Sequence, residues 1–289
     1  MKLSQLYLQT RRSLMDTEEA DYAASVARQL VCHATGRTLA QYIADRQMYV
    51  SDEAISTTEA LVGRVKAGEP LAYILGCWEF YGLQLTVNEK VLIPRDDTCA
   101  VADLAIQKAG ELGPNIRVLD LCTGSGCIGL AVASRVGSAR VTLADISPDA
   151  LAVAKENTVR NGFQNRVTCV QVNALGKPSN FLGKFDLIVS NPPYITTEEM
   201  TQLPKSVADY EPHLALHGGD DGLDFYRSIA KNYAEALKPG GYLCFEFGMG
   251  QGDDVCAILE ANQYTILERS RDYNDIERAV IAQYGRKED

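Results

Sequence analysis

The sequence predicts an α/β protein with a Rossmann-like, mostly parallel sheet that ends in an antiparallel hairpin, preceded by a small helical domain. Three observations support this fold class. Residues 1 to 70 carry apolar side chains at helical spacing and show no strand signal. From residue 95 onward, short apolar runs alternate with helical stretches, as in βαβ units. Two strand-like runs near the carboxyl terminus are separated only by residues 272–276, so they must pair antiparallel.

The helical domain comes first, at residues 1–76. Leu3, Leu6 and Leu14 recur at the spacing of one helix face. Further along, Ser51 is followed by two acidic residues and then by an amphipathic run, which is the usual pattern of a helix start. No other kind of element is indicated in this part of the chain, so we expect a compact group of helices.

The remaining chain divides into a predicted β-hairpin linker, residues 77–94, and the α/β domain, residues 95–289. Aromatic and apolar residues alternate with polar ones in the linker, which is typical of a hairpin. The predicted strands of the α/β domain are residues 117–122, 140–146, 167–172, 185–190, 241–247, 264–271 and 277–284. Helical stretches between the first five strands favour a doubly wound parallel sheet, and the last two strands form its antiparallel hairpin.

The charge balance argues against a resident nucleic-acid binder. The chain of 289 residues has 28 Lys and Arg against 38 Asp and Glu, a formal net charge of −10. Because phosphate contacts made by basic side chains supply most non-specific affinity for nucleic acid, no direct nucleic-acid binding is expected. An acidic surface suits solvent or a basic protein partner instead.

The cysteines and the amino terminus indicate a reducing environment away from membranes. The eight cysteines are scattered and form no Cys-x-x-Cys pair, which favours free thiols and a cytoplasmic location over disulfides or zinc. His213 and His217 have a metal-like spacing, but no further ligand set accompanies them, so no metal is expected. The first residues mix polar side chains among leucines and no long apolar run follows, so neither a signal peptide nor a membrane anchor is expected.

A glycine-rich loop follows the first predicted strand of the α/β domain. Residues 124–129 read Gly-x-Gly-x-x-Gly between a strand and a helix, the pattern of dinucleotide-binding loops. Glycines let the backbone approach a ligand at the amino terminus of the helix. Asp145 ends the next strand, where a carboxylate can hold ribose hydroxyls. This pattern fits NAD as well as other adenosine cofactors.

Asp120, in the strand before this loop, favours one of these cofactors. A carboxylate there would repel a dianionic pyrophosphate, but it would attract the sulfonium and ammonium groups of S-adenosylmethionine. The alternative is that Asp120 only caps the loop by accepting hydrogen bonds from backbone N–H groups. The charge argument favours S-adenosylmethionine.

The motif Asn191-Pro192-Pro193-Tyr194 follows another predicted strand, one that a doubly wound sheet places beside the strand of the glycine loop. Proline has no backbone N–H, so two consecutive prolines form a stiff rim of carbonyl acceptors. Asn191 adds a side-chain carbonyl and Tyr194 an aromatic face. Such a rim can hold both hydrogens of a planar NH₂ group and direct its lone pair at an electrophilic methyl group. The alternative is a plain strand end stopped by two prolines.

Together these motifs resemble the release factor glutamine methyltransferases, and the resemblance covers most of the chain. It rests on segments 69–76 (Glu-Pro-Leu-Ala-Tyr-Ile-Leu-Gly), 92–95 (Leu-Ile-Pro-Arg), the glycine loop, 191–194, 211–216 (Glu-Pro-His-Leu-Ala-Leu), 218–226 (Gly-Gly-Asp-Asp-Gly-Leu-Asp-Phe-Tyr) and 238–241 (Lys-Pro-Gly-Gly). It implies a helical N-terminal substrate-recognition domain, a hairpin linker and a seven-stranded methyltransferase domain. It also implies methylation of the side-chain nitrogen of the glutamine in the Gly-Gly-Gln tip of peptide chain release factors.

The resemblance assigns roles by position. Asp145 is similar to the ribose ligand, and Asn191 is expected to touch both the cofactor and the substrate amide. The full expected cofactor set is Asp120, Cys122, Thr123, Gly124, Ser125, Gly126, Asp145, Asn173, Ala174 and Asn191. The expected substrate pocket is Asn191, Pro192, Pro193 and Tyr194, of which Asn191, Pro192 and Tyr194 are the expected catalytic residues.

Three positions depart from the family pattern. Cys122 stands where the family has Gly, which predicts a shifted backbone approach to the cofactor. Asn173 replaces an Asp, although its carbonyl can still accept a hydrogen bond from the adenine amine. Residues 95–99 lack the second proline and the closing glutamate of the pattern, so the role of this segment stays open.

Three other functions compete with this interpretation. A sister group of enzymes with the same catalytic motif methylates a glutamine of a large-subunit ribosomal protein. Adenine and cytosine also present a planar NH₂ group, but the acidic charge balance disfavours a nucleic-acid substrate. The last alternative is a cofactor-binding module that regulates translation factors without catalysis, which the intact Asn-Pro-Pro-Tyr motif disfavours.

Overall fold

The computed structural model describes residues 1–285. The helices are α1 Leu3–Leu14, α2 Ala20–Thr35, α3 Leu39–Ala44, α4 Asp52–Lys66, α5 Leu71–Leu75, α6 Cys99–Glu111, α7 Cys127–Arg135, α8 Pro148–Arg160, α9 Lys205–Ala208, α10 Asp224–Asn232 and α11 Gly252–Ala261. The strands are β1 Cys77–Phe80, β2 Leu83–Thr86, β3 Arg117–Leu121, β4 Arg140–Asp145, β5 Val167–Gln171, β6 Phe185–Ser190, β7 Leu237–Glu246, β8 Tyr264–Arg271 and β9 Glu277–Tyr284. Short 3₁₀ turns include Asp96–Thr98 and His213–Ala215.

The predicted fold class is confirmed. Seven strands form one sheet in the order β5-β4-β3-β6-β7-β9-β8. The neighbours from β5 to β7 pair in parallel, and β9 pairs antiparallel with both β7 and β8. Because β3 lies at the point where the strand order reverses, the carboxyl ends of β3, β4 and β6 meet at one edge, where open α/β sheets bind their ligands.

The chain forms two compact units. The smaller unit comprises Met1–Gly76 together with Lys205–Tyr210, and the larger unit comprises Cys77–Pro204 and the described residues from Glu211 onward. The short helix α9 thus groups with the helical unit, although it follows β6 in sequence. The Tyr210 hydroxyl donates a hydrogen bond to the Ala67 carbonyl within that unit.

The helical unit contains α1 to α5 and α9. Helix α4 begins where the sequence predicts, because the Ser51 hydroxyl accepts a hydrogen bond from the Ala54 N–H and two acidic residues occupy its first turn. Part of the core of this unit consists of Leu3, Leu6, Val31 and Tyr42, all buried. The amphipathic spacing seen in the sequence therefore corresponds to a packed helical core.

The larger unit has a core layer on each face of its sheet. Helices α6 and α7 cover one layer, which also takes in Phe80, Leu83 and Leu85 of the predicted hairpin. Helices α10 and α11 pack on the other layer, where Tyr226 and Phe245 meet edge to face with ring centroids 5.1 Å apart. In residues 1–285, no helix is long and apolar enough to cross a membrane.

Candidate active site

The carboxyl ends of β3, β4 and β6 enclose a pocket in the larger unit. Its empty volume is about 1010 Å³ including its open mouth, which is the size of a ligand pocket. Its walls are Lys90, Val91, Leu92, Pro94, Arg95, Thr98, Cys122, Thr123, Gly124, Ser125, Cys127, Ile128, Asp145, Ile146, Ser147, Ala150, Val172, Asn173, Ala174, Leu175, Asn191, Pro193, Pro212, Leu214, Ala215 and Phe225.

Most residues that the sequence proposed for the site meet at this pocket. The predicted residues in its wall are Cys122, Thr123, Gly124, Ser125, Asp145, Asn173, Ala174, Asn191 and Pro193. Four predicted residues lie outside the wall: Asp120, Gly126, Pro192 and Tyr194. Because none of these four lines the pocket, their predicted contacts with cofactor or substrate stay predictions.

The three glycines of the loop have separate physical roles. Gly124 has φ +53°, and a Cβ there would meet nothing within 4 Å, so its backbone lies open to a ligand. Gly126 has φ +85°, and a Cβ there would lie 3.1 Å from Leu143 Cδ1. At Gly129 a Cβ would lie only 2.3 Å from Leu143 Cδ2, so this glycine lets α7 pack closely on β4.

Asp145 anchors the loop from the neighbouring strand. Its Oδ2 accepts a hydrogen bond from the Gly124 N–H at 2.9 Å, and its Oδ1 accepts one from the Ser147 N–H at 3.0 Å. Burial raises the pKa of Asp145, and these backbone N–H groups oppose the rise. Each carboxylate oxygen retains a lone pair, so Asp145 can hold the loop and two ribose hydroxyls together.

We expect Asp145→Ala to weaken S-adenosylmethionine binding by roughly 1–3 kcal/mol, because hydrogen bonds to a charged acceptor and the anchor of Gly124 are lost. Isothermal titration calorimetry measures the change. Asp149→Ala removes an exposed carboxylate from the start of α8 and should leave the affinity unchanged. NAD should produce no thermal shift in the wild-type chain. Equal affinities of the wild-type and Asp145→Ala proteins would contradict the ribose assignment.

Cys122 adopts the left-handed backbone conformation, with φ +60°. A residue with a Cβ pays about 1–2 kcal/mol for this conformation, which glycine adopts freely. Burial raises the pKa of its thiol, so the group stays neutral. Cys122 therefore has the left-handed backbone conformation that a glycine, the residue of the family pattern, would adopt without this conformational cost.

Asn173 and Ala174 form the far wall of the pocket after β5. The Asn173 Oδ1 accepts a hydrogen bond from the Leu175 N–H at 2.9 Å, which leaves one lone pair of this oxygen for a ligand. The Ser228 hydroxyl donates to the Ala174 carbonyl at 2.8 Å and holds this turn against α10. The wall is thus fixed by hydrogen bonds within the protein.

Asp120 lies beneath the glycine loop and is fully buried. Its Oδ2 accepts hydrogen bonds from the Thr123 hydroxyl at 2.6 Å and the Gly129 N–H at 2.9 Å. Its Oδ1 has no hydrogen-bond partner among the described residues. Asp120 therefore ties β3, the loop and α7 together, and its charge acts on the pocket through the loop. Burial raises the pKa of Asp120 to about 7, against the hydrogen bonds that lower it.

The contribution of Asp120 to the stability of the cofactor-free protein should therefore fall as pH rises from about 4 to about 7, because the folded state binds the Asp120 proton more tightly than the unfolded state does. Asp120→Asn, which cannot ionise, should show a shallower fall in chemical denaturation across this range. Burial also raises the pKa of Glu246, so this group contributes to stability in the same direction. The pH dependence of the unfolding free energy in Asp120→Asn should therefore be reduced and not abolished. Asp149→Asn is the exposed control. Equal slopes for wild type and Asp120→Asn would contradict this account.

Asn191 lies beside the glycine loop because of the strand register. β3 and β6 pair Leu121 with Ser190, and the Ser190 hydroxyl donates to the Leu121 carbonyl at 2.6 Å. Asn191 follows at once and its side chain lines the pocket. Its Nδ2 donates to the Thr98 hydroxyl oxygen at 3.4 Å. The nitrogen of the Asn191 side-chain amide is thus bonded to the protein, and its oxygen is left for a ligand.

Three glycines allow the chain to pass closely behind Pro193 and Tyr194. A Cβ at Gly218 would lie 2.6 Å from the Pro193 carbonyl oxygen, and one at Gly222 would lie 2.2 Å from the Tyr194 carbonyl oxygen. At Gly248 a Cβ would lie 3.0 Å from Tyr194 Cδ2. The Gly-Gly-Asp-Asp-Gly segment therefore forms a backing for the Asn-Pro-Pro-Tyr motif.

The segment 95–99, whose role the sequence left open, contributes to the support of the site. Arg95 pairs with the buried Glu211, and Asp97 pairs with Arg278 at 3.0 Å. Thr98, also buried, bonds the amide of Asn191. Polar residues of segment 95–99 therefore support the pocket wall through ion pairs and a hydrogen bond, although this segment departs from the family pattern.

Sequence reasoning missed several buried polar residues at the site. Asn157 on α8 donates to the Thr86 carbonyl at 3.0 Å and to the Ser125 carbonyl at 2.9 Å, so it joins the hairpin to the glycine loop. Thr98 and Glu246 were missed as well. A lone polar residue in an apolar stretch, such as Glu246 in Leu-Cys-Phe-Glu-Phe, was the available signal. Within residues 1–285, no group of three or more His, Cys, Asp or Glu is placed to hold a metal.

Comparisons with known proteins agree with this site. A family model described as "Methyltransferase small domain" matches residues 104–209, and one described as "PrmC N-terminal domain" matches residues 3–76. A methyltransferase structure from Pyrococcus furiosus has a TM-score of 0.52 at 19% identity, covering 80% of this chain and 100% of that one. At this identity the likeness shows the fold alone.

Two relatives carry the name of a single family. The release factor glutamine methyltransferase of Clostridium acetobutylicum is 34% identical over 285 residues, 99% of each chain. The protein of that name from Fusobacterium nucleatum is 46% identical over 225 residues, 78% of this chain and 62% of its own length. Fold, glycine loop and pocket define the class of this chain as an S-adenosylmethionine-dependent methyltransferase. It belongs to the release factor glutamine methyltransferase family.

The residues of the pocket fit this cofactor. The Gly124 backbone is open, and the Asp145 carboxylate has lone pairs to spare. The buried carboxyl group of Asp120 lies beneath the loop, and its ionised form suits a cationic ligand.

Proposed function

We propose that this chain transfers a methyl group from S-adenosylmethionine to the side-chain amide nitrogen of the glutamine in the Gly-Gly-Gln motif of peptide chain release factors. The observation that carries the proposal is the placement of Asn191, which lines the pocket beside the glycine loop and is followed by two prolines. Relatives that share most of the chain are named for this activity.

For this reaction the protein must orient a poor nucleophile, the side-chain amide nitrogen of glutamine. The lone pair of an amide nitrogen is delocalised, and the bound cofactor supplies an electrophilic methyl group. Asn191 Oδ1 and the carbonyls around Pro192 and Pro193 can accept the two amide hydrogens, and neither proline has an N–H to compete. These acceptors aim the lone pair and stabilise the positive charge that develops on nitrogen.

Tyr194 contributes an aromatic ring and not a charge. Burial raises the pKa of its phenol to about 12, so the group stays neutral at physiological pH. Its carbonyl accepts a hydrogen bond from Gln251 Nε2 at 3.1 Å, which fixes the backbone after the prolines. We assign Tyr194 to the glutamine pocket as a rigid apolar face.

The decisive experiment incubates the chain with labelled S-adenosylmethionine and purified release factor, followed by mass mapping of the product. Methylation at the glutamine of Gly-Gly-Gln supports the proposal, and release factor carrying Gly-Gly-Ala is the matched control. Separate reactions with large-subunit ribosomal proteins and with RNA test the alternatives. Label in either, with none in release factor, would overturn the assignment.

The helical unit, Met1–Gly76 with Lys205–Tyr210, is assigned the role of holding the protein substrate, because the residues of the catalytic pocket all lie in the larger unit. The free cysteines favour a cytoplasmic location, where release factors act. We expect intact release factor to show a lower KM than a short peptide with the same Gly-Gly-Gln tip, as measured by initial rates. Equal kcat/KM values for the two substrates would assign the helical unit another role.

A further inference from the structure

Glu246 is a buried acid beside Asn191 for which the proposed reaction has no role so far. It is the last residue of β7, and its relative exposure is 2%. The register of β6 and β7 pairs Ser190 with Phe245, so the next residues, Asn191 and Glu246, emerge side by side at the carboxyl edge of the sheet. The Tyr226 hydroxyl donates to the Glu246 carbonyl at 2.9 Å and fixes this strand end.

Two neighbouring polar side chains, the hydroxyl of Thr98 and the amide of Asn191, lower the pKa of the Glu246 carboxyl group. Asn191 Nδ2 also donates to Thr98 Oγ1 at 3.4 Å. Because Thr98 accepts from Asn191, its single O–H is free to donate to Glu246. The buried Oε2 of Glu246 has no hydrogen-bond partner among the described residues. The three side chains form a polar cluster at the carboxyl edge of the sheet, with one hydrogen bond between Asn191 and Thr98.

We propose that Glu246 is a positioning residue that accepts a hydrogen bond from Asn191 Nδ2 and thereby turns Asn191 Oδ1 toward the substrate. This inference rests on the proposed function, in which Oδ1 holds the substrate amide. An ionised carboxylate has no hydrogen to donate, so only the NH₂ end of the asparagine amide can face it. The carbonyl end must then point away, into the pocket.

The orientation depends on the charge of Glu246. A protonated Glu246 could donate its O–H to Asn191 Oδ1, which would reverse the amide and present NH₂ to the substrate, a donor facing a donor. Burial raises the pKa of Glu246 to about 8, and Thr98, Arg278 and Asn191 lower it. A cation bound in the adjacent pocket favours the ionised form. The other titratable groups that face Glu246 are Asp97, Cys99, Cys127, Tyr194 and Tyr226.

The kinetic test compares Glu246→Gln, Glu246→Asp and the exposed control Glu268→Gln over a range of pH. In the wild type, kcat should rise with pH as Glu246 ionises. The amide of Glu246→Gln can either donate to Asn191 or accept from it, so it no longer fixes the orientation of the Asn191 amide. We expect kcat of this variant to fall roughly tenfold and to show no pH inflection, with KM for the cofactor unchanged. Glu246→Asp keeps a carboxylate and should retain the inflection, whereas Glu268→Gln should match the wild type.

A second readout needs no turnover. With ¹⁵N-asparagine labelling, and Asn191→Ala to assign the resonance, the side-chain amide signal of Asn191 in the cofactor-free protein should shift at the pH where Glu246 titrates. The shift should vanish in Glu246→Gln. Should this variant not fold, Thr98→Val removes the bridging hydroxyl and should alter the same titration.

The two measurements separate the inference from the function it rests on. If release factor is not methylated at all, the proposed function fails, while the amide titration still tests the orientation of Asn191. An Asn191 signal indifferent to pH, or a folded Glu246→Gln protein with wild-type kcat and pH profile, overturns the positioning role.

Discussion

Replacing Asn191 by alanine should lower kcat for release factor methylation by roughly 10²–10³-fold, the usual effect of removing one preorganised acceptor from a transition state. The Asn191 carbonyl is proposed to hold one hydrogen of the substrate amide, and this bond strengthens as positive charge develops on nitrogen. The fold should survive, because the Ser190 hydroxyl and the Thr98 side chain still hold the neighbouring backbone and wall. Initial rates with saturating cofactor and release factor measure the loss.

Two companion measurements make this prediction specific. Cofactor affinity of Asn191→Ala should be measured by calorimetry, and we expect a smaller loss there than in kcat. Asn191→Asp keeps an acceptor, so it should retain partial activity, although its charge lies beside Glu246 and opposes ionisation of that group. If the Asn191→Ala enzyme has the wild-type kcat, Asn191 does not hold the substrate amide, and the two prolines serve only to end the strand.

Gly222→Ala should destabilise the protein by roughly 2–5 kcal/mol, the sum of a left-handed backbone penalty and overpacking. Gly222 has φ +73°, and its added Cβ would lie 2.2 Å from the Tyr194 carbonyl oxygen and 2.7 Å from Gln251 Nε2. The clash therefore acts directly on the backbone that follows Pro193. We therefore expect a lower unfolding free energy in chemical denaturation and a fall in kcat beyond the stability effect.

Gly250→Ala is the matched control for this substitution. Gly250 also has positive φ, at +86°, but a Cβ there would meet nothing within 4 Å. It should show the backbone penalty alone, with kcat preserved. If Gly222→Ala and Gly250→Ala are equally active and equally stable, the close packing behind Tyr194 does not constrain the site.

The fold could be predicted because its signals are local. Helical spacing of apolar residues, strand runs bounded by loops, and two runs too close to pair in parallel are each visible within a short window of sequence. The predicted runs 264–271 and 277–284 coincide with β8 and β9. Strand β7 begins earlier than predicted, at Leu237, because this residue pairs with Phe185 across an irregularity in the ladder. That pairing is a contact between distant parts of the chain.

It was harder to predict which compact unit a short segment belongs to, because this depends on packing between residues that are distant in the sequence. The sequence suggested a single domain from residue 95 onward, whereas Lys205–Tyr210 group with the helical unit. Nothing in the composition of this segment marks it, since a four-residue helix has too few residues to show an amphipathic period.

The sequence by itself determined the family, the fold class and the motifs of the site, because a glycine loop and Asn-Pro-Pro-Tyr carry their chemistry in adjacent residues. The tertiary structure alone decided what supports them. Asp120 points under the loop and not into the pocket, Asn157 joins the loop to the hairpin, and strand register places Glu246 beside Asn191. Each of these contacts depends on strand register or helix packing between residues far apart in the chain, and a buried polar side chain finds its partner only there.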